Sequence, residues 1–107
     1  MELLHPDFRI QQPESLPHGG WHQGIEGMDE MGSIFARYWV RTITDPRILD
    51  CGQSAVQVTT QTWTAKDTGR QACVDVVELF ATVDGLIAEI RVFQQDTHLL
   101  LSTLAAR

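Results

Sequence analysis

Hydrophobic and polar positions change their spacing twice along the chain, and the changes divide it into three parts. Asp7 to Gln12 alternates, with Phe8 and Ile10 on one side and Asp7 and Arg9 on the other, and Pro13 ends the run. A period of two predicts a short strand, stopped where proline would remove a ladder donor. Residues 13–24 hold two prolines, three glycines and two histidines, the composition of a loop. From Ile25 the spacing lengthens. Ile25, Met28, Gly32, Phe35 and Trp39 fall three or four apart, one stripe of a helix. Glu26, Asp29 and Glu30 near its start and Arg37 and Arg41 near its end suit the helix dipole, and Asp45-Pro46 closes the segment.

The third part reads as strands. Ser54 to Ala65 is rich in valine and threonine, and Gln71 to Val83 and Leu86 to Gln94 are β-branched and apolar. Asp84-Gly85 is the dipeptide of a two-residue hairpin turn, and the looser stretch Lys66 to Arg70 joins the earlier pair. Asp96 ahead of Leu99-Leu100-Leu101 predicts the cap of a short terminal helix. Strand, helix, then at least three antiparallel strands make an α+β layer pair, expected to be a single domain over 1–107.

A two-residue turn also predicts register. Val83 opposite Leu86 implies Leu79 opposite Ile90, Glu78 opposite Arg91, Val77 opposite Val92 and Asp75 opposite Gln94. One face then carries Cys73, Asp75, Val77, Leu79, Ile90, Val92 and Gln94, and the other Val74, Val76, Glu78, Phe80, Glu89, Arg91 and Phe93. The first is expected to face the helix. Asp75 is its anomaly, a carboxylate among apolar neighbours.

Composition narrows the function. Net charge is −6 with Lys66 as the one lysine, so no cationic cluster exists to bind nucleic acid. No apolar stretch nears the roughly 20 residues of a membrane helix, and Met1 to Pro6 has no leader pattern. Cys51 and Cys73 lack CxxC spacing and are expected to be buried thiols of a cytoplasmic chain.

Trp63-Thr64-Ala65, Val76 to Phe80, Asp84 to Phe93 and Asp96 with Leu99-Leu100 resemble SnoaL-like domains of the ketosteroid isomerase and nuclear-transport-factor-two superfamily. So do Asp7 to Pro13, Leu16 to Trp21 and Gly24 at the front. The resemblance implies a cone-shaped, strongly curved antiparallel sheet on one main helix, enclosing a pocket and pairing as a homodimer through the outer sheet face. The helices that usually precede the first strand are expected to be missing or truncated, leaving the cone more open, with residues 25–39 as its main wall. The family's acids do not carry over. Gln12 stands where an isomerase-like base would precede the proline, Val77 where the oxyanion acid would lie, and Val92 near the aspartate of the cyclases.

The expected activity is binding of an apolar, oxygenated small molecule, with isomerase, lyase, cyclase or hydrolase chemistry by acid and base. A non-catalytic ligand-binding or dimerisation module is the alternative. Asp75 is the catalytic candidate, because desolvation in a cone would raise its pKa. Gln12, His18, Trp21, Val77, Ile90, Val92 and Gln94 are the ligand-binding candidates. His18 and His22 are four apart, but the glycines between them argue against a helical metal pair, and neither metal nor cofactor is implied.

Overall fold

Asp84 and Gly85 both adopt positive φ, 53° and 77°, which turns the chain between two long strands with the twist a hairpin requires. The structure, a computed structural model, describes residues 3–105. Its elements are β1 (Leu4–Gln12), β2 (Gly20–Gln23), α1 (Gly24–Tyr38), β3 (Trp39–Cys51), β4 (Ser54–Ala65), β5 (Gln71–Val83), β6 (Leu86–Gln94) and α2 (Thr97–Ser102). Six strands form one sheet in the order β2-β1-β6-β5-β4-β3. The sheet is mixed rather than antiparallel, because β1 pairs β6 in parallel while the other neighbours are antiparallel. The helix-over-curved-sheet α+β arrangement is as the sequence predicts.

β1 starts at Leu4 rather than Asp7, and β2 and β3 lie where a loop and the end of the helical segment were expected. α1 stops at Tyr38, so Trp39, the expected end of its stripe, is the first residue of β3 and is buried. β3 is an edge strand exposed from Val40 onward, so no burial imposes alternation on its sequence. Pro46 is tolerated there because the β3–β4 register breaks between Thr44 and Arg47, with Asp45 at φ 51°.

The predicted register holds for two rungs and then fails. Val83 pairs with Leu86 and Thr82 with Ile87, but Ala81 pairs with Glu89, leaving Ala88 as an extra residue. Such a bulge bends the strand, and beyond it every partner is displaced by one. Leu79 faces Arg91, Glu78 faces Val92, Val77 faces Phe93 and Val76 faces Gln94. β6 keeps its expected inward residues, Ile90 and Val92, both buried. On β5 the faces exchange: Ala72, Val74 and Val76 are buried against the helix side, while Cys73 is exposed. Cys51, at the end of the β3–β4 hairpin, is exposed as well, contrary to the buried thiols expected.

The core gathers Phe8, Ile10, Leu16, Trp39, Trp63, Val74, Val76, Ile90, Val92 and Leu100, with Met28, Met31 and Phe35 of α1 packed against it. Ile25, the start of the expected stripe, is 48% exposed. Asp96 caps α2 as predicted, its Oδ1 accepting from the Leu99 amide at 2.9 Å. The end of α2 is tied to the core where Trp39 Nε1 donates to Thr103 Oγ1 at 2.8 Å. Among the described residues no helix is long and apolar enough to cross a membrane.

Thr103→Val keeps the volume but leaves the Trp39 indole N–H buried without its acceptor, a loss of about 1–3 kcal/mol. Urea unfolding should show the lower midpoint with an unchanged slope.

Candidate functional site

The loop from Pro13 to Gly19 winds on itself, with the Leu16 amide donating to the Pro13 carbonyl and the Gly19 amide to the Leu16 carbonyl. Only glycine fits at position 19, because a Cβ there would stand 2.3 Å from the Pro13 carbonyl oxygen. This tight return drives His18 inward, where it is 3% exposed. Its ring centroid lies 5.3 Å from Phe35, 5.8 Å from Trp63 and 6.1 Å from Trp39. Burial among these rings lowers its pKa to about 4, helped by the nearby charges of His22 and Arg41. His18 is therefore neutral near pH 7, and its Nδ1 has no hydrogen-bond partner among the described residues. His22 Nε2 is hydrogen-bonded to the His18 main-chain oxygen at 2.8 Å, so the two rings do not form a metal pair.

His18 helps line a partly open cavity of about 90 Å³ between α1 and the concave face of the sheet. Met31, Gly32 and Phe35 supply the α1 wall, within the 25–39 segment expected, and Trp63, Val76 and Val92 the sheet wall. Five polar residues also reach it. Gln61 is committed elsewhere, accepting from Trp63 Nε1 at 2.9 Å and donating to Thr59 Oγ1 at 3.0 Å. Gln12 donates from Nε2 to the Met31 sulfur, at 3.3 Å, and its Oε1 is buried without a partner among the described residues. Gln94 Oε1 is in the same state. Glu78 and Arg41 complete the set.

Glu78 is the ionisable group the sequence assigned to the wrong face. Burial raises its pKa above the usual glutamate range, and the Arg41 charge only partly offsets this. Arg41 lies over the Phe35 ring, 5.2 Å from its centroid, and is solvent-exposed on its other side. The cavity thus combines a carboxyl that retains its proton more readily than usual, an exposed cation, unsatisfied amide oxygens and an aromatic wall.

Of the residues singled out in the sequence, Gln12, His18, Val92 and Gln94 meet at this cavity. Asp75 does not. The bulge at Ala88 puts it on the outer face, where its Oδ1 accepts from Thr60 Oγ1 at 2.9 Å and its amide donates to Gln95 Oε1, rather than pairing with Gln94. Val77 faces outward with it, opposite Phe93. Ile90 points inward but belongs to the core rather than the cavity wall. Trp21 is 44% exposed, with the Arg9 guanidinium 4.2 Å over its ring. The expected Glu78–Arg91 pair is absent: Arg91 Nε donates to Gln11 Oε1 at 3.2 Å, and the outer-face ion pair is Arg9–Glu89 at 2.7 Å. Arg41 went unnoticed because it was counted as the last turn of a helix.

By sequence the chain matches no family model and no curated protein. By structure it is similar to an NTF2-like protein from Burkholderia thailandensis, at 18% identity and a TM-score of 0.90, over 99% of this chain and 82% of that one. It is similar to TerC, crystallised with polyporic acid, at 21% identity and TM-score 0.85, over 97% and 82% of the two chains. A protein assigned as a SnoaL-like polyketide cyclase, from Jannaschia sp. CCS1, aligns at 20% identity and TM-score 0.77, over 99% and 76%. The chain therefore has the fold shared by NTF2-like and SnoaL-like proteins, as the resemblance implied.

The His18 environment links stability to pH. Its folded pKa of about 4 lies below the ordinary 6.5, so between these values the unfolded chain binds more protons. This contribution is complete above the upper value and is lost as pH falls toward the lower. Glu78, shifted upward, acts in the opposite sense. Urea midpoints should therefore fall more for the wild type than for His18→Phe between about pH 7.5 and about pH 5. An equal fall in both would mean that His18 is solvated.

Proposed function

We propose that the cavity binds a small, largely apolar compound bearing an oxygen function, and that Glu78 moves a proton on it. The observation that carries this reading is a partly buried carboxyl of raised pKa in a cavity that also presents unsatisfied buried amide oxygens. A carboxyl whose pKa is raised toward the working pH exchanges protons effectively in both directions. Arg41, on the same cavity, would stabilise negative charge developing on a carbonyl oxygen, and the Gln12 and Gln94 oxygens would accept from hydroxyls. Proton transfer beside a carbonyl is the step that isomerases, lyases and cyclases share. Neither Gln12 nor Val92, at the positions where the resemblance would place acids, can supply it. The similarity to a structure holding polyporic acid supports an oxygenated organic ligand, and the partnered, outward-facing Asp75 removes the earlier candidate.

A second reading concerns assembly. The outer face carries Val56 and Val58 of β4, Val77 and Leu79 of β5 and Phe93 of β6, cross-strand neighbours on one surface. Val74, Val76 and Phe80, expected in that patch, instead lie on the opposite face. Phe93 is 47% exposed, and such a patch, rimmed by Arg9, Glu89 and Arg91, favours burial against a second copy of the chain. A homodimer through this face is compatible with either a catalytic or a binding-only cavity.

Two substitutions separate these readings. Glu78→Gln keeps the shape and should slow protein-catalysed exchange of the α-protons of 2-cyclohexenone in deuterated water by roughly 10²–10⁴-fold, with Asp75→Asn unchanged. Equal rates for Glu78→Gln and wild type would leave only ligand binding. Leu79→Asp should convert a dimeric mass to a monomeric one by light scattering, and a monomeric wild type would end the assembly reading.

A further inference from the structure

The cavity beside Glu78 is too small to be a complete ligand site. It measures about 90 Å³, whereas pockets for drug-sized organic ligands span roughly 300–1,000 Å³. A second cavity of about 290 Å³ lies against it, and Gln12, Val92 and Gln94 line both.

The sheet explains the adjacency. β1 and β6 run parallel and their last paired rung is Gln11 with Arg91. Gln12, one residue beyond that rung, is paired to Gly20 of β2, and Gln94, three residues beyond it, is paired to Val76 of β5. Each strand end is held by its other neighbour, and no rung joins them. The sheet is split at the carboxyl ends of two parallel strands, with Gln12 and Gln94 on either side. Gln12 is 8% exposed, and its amide is oriented by the Nε2–H donated to Met31, so the buried, unpartnered atom is the carbonyl oxygen. Gln94 contributes a second such oxygen. Buried acceptors left without donors are costly, and two flanking one gap call for a donor between them.

We infer that the two cavities are one bipartite site, threaded through the split by an elongated compound with a hydrogen-bond donor at its middle. This rests on the proposed function and adds the shape of the substrate. The oxygenated head lies by Glu78. An N–H or O–H at the waist donates to Gln12 or Gln94. A flat, apolar tail occupies the outer chamber, along Pro13 and Glu14 with Thr97 at its end. The waist selects by chemistry, because an acceptor there would face two further acceptors.

Three probes read this directly by amide-resolved NMR titration: phenol, 4-anilinophenol with N–H between its rings, and 4-phenoxyphenol with an ether oxygen instead. Phenol should perturb the signals of Glu78 and its neighbours alone. 4-Anilinophenol should also perturb Glu14 and Thr97, bind at least about tenfold tighter than phenol, and exceed 4-phenoxyphenol by about tenfold, as expected for a donor meeting a buried acceptor. Gln12→Leu should shrink the difference between the two long probes. Thr97→Trp, which fills the outer chamber from a partly exposed position, should remove the advantage of length and leave phenol binding intact, showing that the variant is folded. If phenol binds beside Glu78 but neither long probe gains affinity, or Thr97→Trp leaves the gain unchanged, the bipartite site is wrong and the inner cavity stands. If phenol does not perturb the inner signals either, both readings fall.

Discussion

One extra residue in β6 decides which β5 side chains face the cavity. Ala88 has no partner on β5, and because side chains alternate with a period of two, the insertion exchanges the faces of β5 relative to a regular hairpin. With the bulge, Glu78 enters the cavity while Asp75 and Cys73 lie outside. Without it, the carboxylate at Asp75 would face the core and Val74 and Val76 would be pushed into solvent. Burial of Ala72, Val74 and Val76 therefore selects the bulged register. The β1–β6 ladder is irregular at the same level, between Leu4 and Arg9, so the bend is shared by two strand pairs. The curvature that makes a cone and the displacement that places the acid have the same origin.

The cavity depends on that curvature in a second way. Trp39 and Trp63, on neighbouring strands, pack at a tilt of 57° with ring centroids 5.0 Å apart and form a wall that Phe35 and His18 complete. Water is excluded on this side, and exclusion acts in opposite directions on the two ionisable groups: the His18 imidazole is kept neutral and the Glu78 carboxyl retains its proton more readily. Gln61 is locked between Trp63 and Thr59, so it stiffens the wall rather than offering a free hydrogen-bonding group. The groups left unsatisfied, on Gln12, His18 and Gln94, gather where the helix, the loop and the strand ends meet.

Much of the fold was legible because local chemistry and tertiary structure agree. The Asp84-Gly85 turn, the Asp96 cap and the helical stripe through Met28 and Phe35 each carry their own signal, and each is realised. β3 was not legible, because an edge strand that is exposed on both faces shows no alternation and its Asp45-Pro46 bulge looks like a terminator. The bulge at Ala88 was invisible for a different reason. Alanine suits either register, and the choice is made by what β1 and β4 bury, residues distant in sequence. Gln12, His18, Val92 and Gln94 line the cavity, whereas Asp75 and Val77 lie together on the outer face through one error of register. The same exchange of faces brings Glu78 inward.

The most direct test of this account is the carboxyl ¹³C titration of Glu78, followed in the wild type and in Arg41→Gln. Placement in the desolvated cavity predicts a midpoint above the ordinary glutamate range, moving further upward when the guanidinium that opposes the shift is removed. An ordinary midpoint, unchanged by loss of Arg41, would place Glu78 in solvent on the outer face and contradict the register on which the site is built.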